Sequence, residues 1–570
     1  MTLDLLAATR QDFVTSFRPA DVKQLLAGRL HMSPHPAWTL PEEPTWKEDP
    51  FTDRNWTFQY HMLRWLDPLR RAAAKGDQRA YAMWWRWTKD WVEKNPRSAP
   101  QSPWAWTDMS DGIRAQQLCL ASPLIAKQDP QQLGWLEAAI RDHAEHLADP
   151  KFMGNANHAL HQQESLFVCG RVLGDEDLWT LAADRMSALL HEQYDEQGVN
   201  AEGAVAYHYN NYLWWERALK RFDAERMPRP DGADRHLHAP EEIAHATRPD
   251  GTLVSIGDTD LQNPKMIESP FTAFVTTNGR SGTAPKDRVK VYDAGYVFGR
   301  SGWGTRSRPY ADQAFYSLRF GPSRRVHGHP DGTSLTYSAS GVNWIVDPGK
   351  YQYDKSAARA HFTSRAAHSV LTIENRKVFK NADVQLIRQL TTSRIHDFLL
   401  EDNSFSGVEL RRRVLFSVTG EYLVVIDHVA SKRKVTGTQR WQLGPTVDTT
   451  LGDHRVELAS GDRRGALWFD QEPLELSTVT AQDEPFDGFV STGWKKMAPA
   501  TAVLARRSGT ELRFITVLAA GPGGTPTVEP VPFGQPDWIC LDIDTGRLRE
   551  RILISPTAAS FPAVPSITRL

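Results

Sequence analysis

The hydrophobic period of this chain changes once along its length, and this change limits the possible folds more than any other feature. Before about residue 260 the apolar residues recur every three or four positions, as at Leu133, Leu136 and Ile140, which predicts amphipathic helices. From about Tyr292 the period becomes two, and short apolar runs such as residues 422–426 are separated by Gly, Asp and Ser. Such runs predict short antiparallel strands that pack as a sandwich. We therefore expect a helical region followed by a β region.

Length sets the expected number of domains. With 570 residues the chain is too long for one ordinary hydrophobic core, so two large domains are expected. We place an N-terminal extension at residues 1–45, a helical domain at residues 46–280 and an antiparallel β-sandwich at residues 281–570. The junction is expected at residues 276–287, which are rich in Thr, Gly, Ser and Lys.

Charge and cysteine content exclude several classes of function. The net charge is -2, from 67 basic and 69 acidic residues, which argues against a nucleic-acid or membrane-surface binder. The 3 cysteines form no CxxC pair, so free thiols fit better than a disulfide framework or a thiolate zinc site. The N-terminus lacks the pattern of a signal peptide, and no apolar run reaches the roughly 18 residues of a membrane span. These features predict a cytoplasmic protein.

The segment richest in chemistry lies between two of the expected strands. His327, His329 and Asp331 follow a strand expected at residues 314–320 and precede one at residues 335–339. Residues two apart on an extended chain project to the same face. His327 and His329 are therefore suited to act together on a metal or a substrate. Two exposed loop histidines are the alternative.

Two segments in the helical region carry further polar residues. Asn157 and His158 open a predicted helix, where Asn157 is also a good N-cap. Glu202, Tyr207 and His208 lie at the start of a helix rich in Tyr and Trp. Tyr207 and His208 therefore have an alternative role as core aromatic residues.

Tryptophan is unusually frequent, with 20 residues in the chain. Trp84, Trp87 and Trp91 share one helical face, which predicts a buried stripe. Trp104 and Trp106 lie in a loop rich in Pro and Ser. Aromatic residues in loops often stack on the apolar faces of sugar rings, and core packing is the alternative.

The β region holds two more polar segments. Asp347 precedes Pro348 and Gly349, where it would also suit the start of a turn. Arg365 and His368 lie just before a predicted strand. Taken singly, each of these residues also fits a purely structural role.

Taken together and in this order, the segments resemble the heparinase II/III-like polysaccharide lyases, a family that includes heparinase, oligoalginate lyase and hyaluronate lyase relatives. The resemblance covers about residues 46–375. It implies an α+β multidomain protein with an N-terminal incomplete (α/α) toroid followed by a C-terminal antiparallel β-sandwich, in agreement with the change of period. The matched polar residues are Asn157, His158, Glu202, Tyr207, His208, Asp258, His327, His329, Asp347 and His368.

The resemblance implies cleavage of a uronic-acid glycoside by β-elimination, which leaves a 4,5-unsaturated uronate end. Asn157 and His158 would then stabilise the negative charge that develops on the uronate. Tyr207 would carry the proton taken from C5 or given to O4. His327 would be a second acid–base group or a ligand of the carboxylate.

The resemblance also implies a substrate site and a metal site. Arg324 and Arg325 would form paired hydrogen bonds with a carboxylate or sulfate, although surface arginines are common. Relatives hold zinc with a His/Asp/His set, so a structural Zn²⁺ is expected at His329, Asp347 and His368; a hydrogen-bonded cluster without metal is the alternative. The residues assigned to substrate binding are Glu202, His208, Trp104, Trp106, Arg324, Arg325, Tyr351 and Arg365.

Two other functions are compatible with parts of the sequence. A toroid-type glycoside hydrolase needs a pair of acids, for which Asp108, Asp111 and Glu202 are available. A glycan-binding protein without activity would be expected to have lost a catalytic member, yet Tyr207 and His327 are both present. We therefore expect a lyase that acts on an anionic oligo- or polysaccharide, with no nucleic-acid or membrane partner. A homodimer is compatible with this fold.

Overall fold

The structure is a computed structural model. It describes residues 3–10, 19–107, 109–323, 325–353, 355–379, 381–521, 524–535, 537–555 and 565–570. The chain folds as two compact units. Unit 1 comprises Met1–Gln193 and Asn211–His236, and unit 2 comprises Tyr194–Asn210 and Leu237–Leu570.

Unit 1 is helical, as the period of its apolar residues predicts. The helix expected around Leu136 and Ile140 runs from Leu133 to Ala148 and buries both residues. A further helix, Val205–Glu225, begins in unit 2 and ends in unit 1. The remaining α-helices of unit 1 are Pro19–Leu26, Arg54–His61, Asp67–Ala74, Gln78–Lys94, Ser110–Gln128, Ala156–Leu173 and Glu176–Gln193.

Tryptophan packing accounts for much of the core of unit 1. Trp84, Trp87 and Trp91 are buried on one face of the helix Gln78–Lys94, which confirms the predicted stripe. The guanidinium of Arg114 is enclosed in the same region, 3.6 Å from the ring centre of Trp91. The negative face of the indole ring attracts the cation and stabilises the enclosed guanidinium.

Unit 2 contains three antiparallel sheets of substantial size. The small sheet contains, in spatial order, Val289–Tyr292, Tyr296–Arg300, Phe315–Arg319, Leu335–Ala339 and Val342–Ile345. The large sheet contains, in spatial order, Asp448–Leu451, Arg455–Ser460, Arg463–Phe469, Ala502–Gly521, Tyr422–Gln442, Val408–Ser417, Ile395–Asp402, Asp383–Thr391 and Gly321–Pro322, with Glu475–Val479 and Leu371–Ile373 beside its central strands. The C-terminal sheet contains Thr527–Pro530, Ile539–Asp544, Arg549–Ile554 and Ser566–Arg569. Two short strand pairs are Gln482–Asp483 with Phe486–Asp487 and Phe489–Gly493 with Lys496–Pro499. The α-helices of this part are Ala239–His245, Pro270–Thr276 and Ala357–Phe362.

The three sheets form three layers, with the large sheet in the middle. Leu423 and Val425 of the large sheet share a core with Tyr316 and Tyr337 of the small sheet. The alternate residue Val424 points to the opposite face. There it packs in a second core with residues of the C-terminal sheet. The continuous apolar run in this strand is explained by burial on both faces, and the expected sandwich has a third layer.

The junction expected from composition lies between a helix and a strand. The helix is Pro270–Thr276, and the strand is Val289–Tyr292. Residues 237–276 nevertheless group with the sheets. Arg300 of the small sheet explains part of this grouping, because its Nη2 donates to the carbonyl oxygen of His245 at 2.7 Å. The domain borders stay a prediction. In the part of the chain that the structure describes, none of the helices combines the length and the apolar character needed to cross a bilayer.

Candidate active site

Three glycines in unit 2 allow three loops to approach one another closely. A Cβ on Gly203 would lie 2.6 Å from the Cα of Gly328, and a Cβ on Gly257 would lie 2.8 Å from the carbonyl oxygen of His327. The backbone N–H of Asp258 donates to that same oxygen at 2.9 Å. Any larger residue would therefore push the loops apart, and the polar side chains that they carry would separate.

Asp258 is the centre of the resulting cluster. It is buried and accepts hydrogen bonds from His327 Nδ1 at 3.0 Å, His329 Nε2 at 3.2 Å, and Arg359 Nη1 and Nη2 at 2.5 and 3.1 Å. Burial alone would raise the pKa of Asp258, but the hydrogen bonds from these three residues outweigh it and lower the pKa. Asp258 is therefore a permanent carboxylate that orients its three partners.

His327 is held in one orientation and one tautomer. Its backbone has a φ of 60°, in the left-handed region that non-glycine residues seldom adopt and that often marks functional sites. Because Nδ1–H donates to Asp258, the lone pair of the neutral ring lies on Nε2. That atom is 3.7 Å from Oε2 of Glu202. The exposed part of the ring therefore presents a proton acceptor.

Tyr207 lies directly against this histidine. The two rings are stacked with their centres 3.7 Å apart and their planes 10° from parallel. The hydroxyl oxygens of Tyr207 and Tyr353 are 2.9 Å apart. Burial raises the pKa of Tyr207 to about 12, with further increases from Glu202 and Asp258, while the hydrogen bond with Tyr353 opposes the rise. Tyr207 is consequently a protonated phenol at neutral pH.

His329, Asp347 and His368 form a site of the kind that holds a cation. Their potential ligand atoms lie within 4.8 Å of one another, and all three residues are buried. His329 donates from Nε2 to Asp258, and His368 donates from Nδ1 to the carbonyl oxygen of Ser364 at 2.7 Å. The inner nitrogens, 3.3 Å apart, are therefore both acceptors. Oδ2 of Asp347 is buried without a hydrogen-bond partner. Two acceptor nitrogens and a carboxyl oxygen that converge in this way fit a metal ion.

The catalytic candidates of unit 1 lie at the start of the helix Ala156–Leu173. Asn157 is buried in its first turn, and His158 follows it. The N-cap position is occupied by Asn155, so the interpretation of Asn157 as the N-cap was wrong. The helix begins at Ala156, so Asn157 is its second residue.

The two loop tryptophans pack against other side chains of unit 1. The Trp106 ring lies 4.5 Å from that of His143, and its Nε1 donates to the carbonyl oxygen of Asn95 at 2.8 Å. The Trp104 ring meets Phe58 edge-on at 5.5 Å. Both tryptophans are partly exposed. Their contact with a sugar stays a prediction.

Two residues assigned to substrate binding form hydrogen bonds with protein groups. His208 is buried, with Nε2 at 2.9 Å from the carbonyl oxygen of Glu202 and Nδ1 at 3.1 Å from Glu242. Arg365 is buried and donates to Asp402 at 2.5 Å and to the carbonyl oxygen of Leu371 at 3.2 Å. Both side chains are buried, and their assignment to substrate binding stays a prediction.

The remaining candidates lie in different surroundings. Arg325 is beside Tyr296, where burial lowers the pKa of its guanidinium. The Tyr351 ring packs 5.9 Å from that of Phe362. Arg324 lies outside the described residues, as does Asp108 of the hydrolase alternative. The other acid of that alternative in unit 1, Asp111, is buried and accepts from His146 and Gln162; it belongs to an internal network.

Sequence reasoning missed Tyr353, Lys350 and Arg359. Nζ of Lys350 lies 3.4 Å from the Tyr353 hydroxyl and 3.0 Å from Oδ2 of Asp260. The guanidinium of Arg359 lies 5.4 Å from the Tyr353 ring centre. Asp258 matches the family pattern, but the pattern gave it no role. The segment after Asp347 is rich in polar and aromatic residues. The sequence does not indicate which of these side chains face the site.

A helical unit, antiparallel sheets, and a tyrosine stacked on a histidine–aspartate pair are together the features of a polysaccharide lyase. Residues 23–223 match the family described as Heparinase II/III N-terminus, and residues 284–507 match the family described as Heparinase II/III-like, C-terminal. The chain therefore belongs to the heparinase II/III-like family, as the resemblance indicated.

Similar proteins are found among both characterised sequences and solved structures. The chain is 22% identical over 543 residues to a heparin-sulfate lyase of Bacteroides stercoris, with 86% of this chain and 79% of the relative covered. Its fold is similar to that of heparinase III, with a TM-score of 0.78, 16% identity and 97% and 94% of the two chains covered. It is also similar to the heparan sulfate lyase HepC of Pedobacter heparinus, with a TM-score of 0.74, 18% identity and 98% and 93% covered. At these identities the solved structures show the fold alone.

Proposed function

We propose that this chain cleaves the bond to O4 of a uronic acid in a glycan by β-elimination. A base takes the proton from C5, the C4–O4 bond breaks, a C4=C5 double bond forms, and an acid protonates the departing O4. The array of Asp258, His327, Tyr207 and Tyr353 is the observation that carries this proposal. It supplies one proton acceptor and one proton donor whose rings are in contact.

His327 has the properties of the base. Its Nε2 has a lone pair because Asp258 accepts the proton on Nδ1. The same carboxylate would stabilise the imidazolium that forms when Nε2 takes the C5 proton. A positioned base of this kind typically accelerates a reaction by ~10²–10⁴-fold.

Tyr207 has the properties of the acid. With a pKa of about 12, the phenol keeps its proton at neutral pH and releases it only to a strongly basic oxygen. An alkoxide leaving group is such an oxygen. The hydroxyl of Tyr353 would then stabilise the resulting phenolate through the contact at 2.9 Å.

The uronate carboxylate must be stabilised when C5 loses its proton, because that carboxylate resists further negative charge. The family pattern assigns this task to Asn157 and His158. An amide and an imidazole donate hydrogen bonds to such a group without placing a full opposite charge beside it. This role is proposed from the matched motif. Glu202, whose Oε2 lies 3.7 Å from Nε2 of His327, is proposed to bind the substrate beside the base.

The substrate class follows from the relatives. The named relatives are lyases of heparin and heparan sulfate, so we infer that this chain acts on a glycosaminoglycan of the same class. The polar, cationic groups near the array, Arg359 and Lys350, suit an anionic sugar.

We also propose that His329, Asp347 and His368 bind Zn²⁺. Two imidazoles and one carboxylate form a ligand set that zinc accepts, with a fourth position left for water. The metal would supply a structural tie between the segments that carry these ligands. Asp258 would then orient His329 toward the metal and His327 toward the substrate.

The proposal is tested by ultraviolet absorbance of the unsaturated uronate. The protein is incubated separately with heparan sulfate, unsulfated heparosan, chondroitin, hyaluronan and alginate, and reducing ends are measured in parallel. We expect absorbance and reducing ends to rise together with heparan sulfate or heparosan. New reducing ends without absorbance would mean hydrolysis and contradict the proposal, and a signal with alginate alone would contradict the substrate class.

A further inference from the structure

Unit 1 contains a group of basic side chains that take no part in the proposed elimination. Arg64 lies in the one-turn helix Arg64–Leu66. His161 is one turn after His158 on the helix Ala156–Leu173, and Arg217 is on the helix Val205–Glu225. His158 and His161 are three residues apart, so they share one face of their helix.

Arg217 links two members of this group and fixes their protons. Its guanidinium donates to Oε1 of Glu164 at 2.9 Å and lies 3.1 Å from Nδ1 of His161. Because an arginine only donates, Nδ1 of His161 must accept. The proton of the neutral imidazole is therefore on Nε2. Burial and the charges of Arg217 and Arg64 lower the pKa of His161, which keeps the ring neutral.

Arg64 differs from the other arginines of the group. Its side chain is exposed, yet burial lowers its pKa and the charge of Arg217 lowers it further. The guanidinium of Arg64 is therefore accessible to a ligand and within electrostatic reach of Arg217. Among the described residues, no carboxylate pairs with Arg64. Glu164 already accepts hydrogen bonds from the guanidinium of Arg217.

Such an arrangement is unfavourable in the free protein. Two like charges repel each other, and removal from bulk water adds to the cost. An oxyanion in the recess would reverse both effects, since guanidinium groups bind carboxylate and sulfate through paired hydrogen bonds. The Nε2–H of His161 would supply one more donor.

We propose that Arg64, Arg217 and His161 form a binding site for an oxyanion of the substrate. The site is adjacent to Asn157 and His158 through the shared helix. It would take the carboxylate or sulfate of a sugar next to the one that is cleaved. This inference rests on the proposed function and extends it, because it assigns a specificity site to the helical unit.

The test is Arg64→Ala, with Arg64→Lys as the conservative variant. Arg79→Ala is the matched control, because Arg79 is also exposed in unit 1. Loss of a charged hydrogen-bond donor predicts a rise in KM of ~10-fold with kcat within about twofold. Arg64→Lys should recover part of the affinity and Arg79→Ala should leave KM unchanged. Tm of Arg64→Ala should stay the same or rise, because a repulsion is removed.

Two substrates identify the source of the oxyanion. An equal rise in KM on heparosan and heparan sulfate would assign the site to carboxylate, and a rise on heparan sulfate alone would assign it to sulfate. A KM within twofold of the wild type on both substrates would overturn the inference.

Calorimetric binding of a heparan sulfate oligosaccharide separates this inference from the proposed function. If the wild type forms no unsaturated product, the proposed function fails, yet affinity that falls ~10-fold in Arg64→Ala would still support the site. Equal affinity of Arg64→Ala and wild type in that titration would overturn it.

Discussion

The cluster around Asp258 in unit 2 differs from the cluster around Arg64 in unit 1 in how the charge of its central residue is compensated. Asp258 is a single buried carboxylate with three donor residues around it, and the hydrogen bonds from His327, His329 and Arg359 lower its pKa. Arg64 is a cation whose pKa is lowered by burial and by the charge of a second cation, Arg217. The carboxylate of the first cluster has its donors without a ligand, whereas we propose that the repulsion in the second is relieved when an oxyanion binds.

This difference separates chemistry from recognition. Groups that transfer protons must be oriented before the substrate binds, because reorientation during the reaction would raise the barrier. A cationic site is selective for anions when its charges are not compensated in the free protein. An anionic ligand then relieves the repulsion between the cations, and a neutral ligand does not. Substitutions in the Asp258 cluster should therefore lower kcat and stability. Substitutions in the Arg64 cluster should raise KM.

The largest expected effect comes from Tyr207→Phe. This variant keeps the ring stacked on His327 but removes the hydroxyl that would protonate O4. We expect kcat to fall by ~10³-fold with little change in Tm. Initial rates of unsaturated-uronate formation, together with a thermal melt, measure both quantities. A loss of less than tenfold would remove Tyr207 from the reaction.

Asp258→Asn should disturb both chemistry and stability. The amide keeps the size of the side chain, but His327, His329 and Arg359 lose their shared carboxylate. Breaking one partner of a buried charged network typically costs ~3–5 kcal/mol, and misorientation of His327 should lower kcat by ~10²-fold. Denaturant unfolding and initial rates test this expectation. Asp260→Asn is the control, because Asp260 pairs with Lys350 at 3.0 Å in a partly exposed position; equal losses in the two variants would refute the central role of Asp258.

Tyr353→Phe should have a smaller effect that is confined to the rate. Its hydroxyl contacts that of Tyr207, so its loss should lower kcat by ~10-fold. Tyr422→Phe is the control, because the Tyr422 ring is buried in the core shared by the large sheet and the C-terminal sheet. We expect this control to stay within twofold of the wild type. Comparable losses in both variants would mean that the contact with Tyr207 contributes nothing specific.

The smallest effect should follow metal removal. After dialysis against a chelator, added Zn²⁺ should raise Tm by a few degrees if it binds at His329, Asp347 and His368; a ligand at one hundred times its Kd stabilises by about 2.7 kcal/mol. Asp347→Asn should abolish this rise, whereas Asp260→Asn should retain it. An equal rise in Asp347→Asn would place the metal elsewhere.

The change of period predicted the secondary structure well because each region buries its apolar residues in one regular way. The strand Tyr422–Gln442 shows this: its alternate residues Leu423 and Val424 enter different cores. The motifs predicted which residues of unit 2 come together, including His327 with Tyr207 and the three metal candidates. Local sequence was enough there because each motif repeats a family pattern.

Other parts of the site depend on contacts that no local pattern reveals. Asp258 is 69 residues from His327 and 101 residues from Arg359 in sequence. Tyr351 was assigned to substrate binding from the resemblance and Tyr353 was not, and a φ of 66° at Tyr351 breaks the alternation that would relate the two. Arg64 belongs to no motif, since its cluster arises only when three helices pack.

The masses of the cleavage products distinguish elimination from hydrolysis without any assumption about the site. A heparan-type tetrasaccharide of defined mass, which has one internal bond to O4 of a uronate, is cleaved to completion, and the fragment masses are measured by mass spectrometry. We expect two fragments whose masses add up to that of the substrate, because β-elimination adds nothing, and one fragment should carry the unsaturated uronate. Fragments whose summed mass exceeds that of the substrate by one water would show hydrolysis and contradict the roles given to His327 and Tyr207.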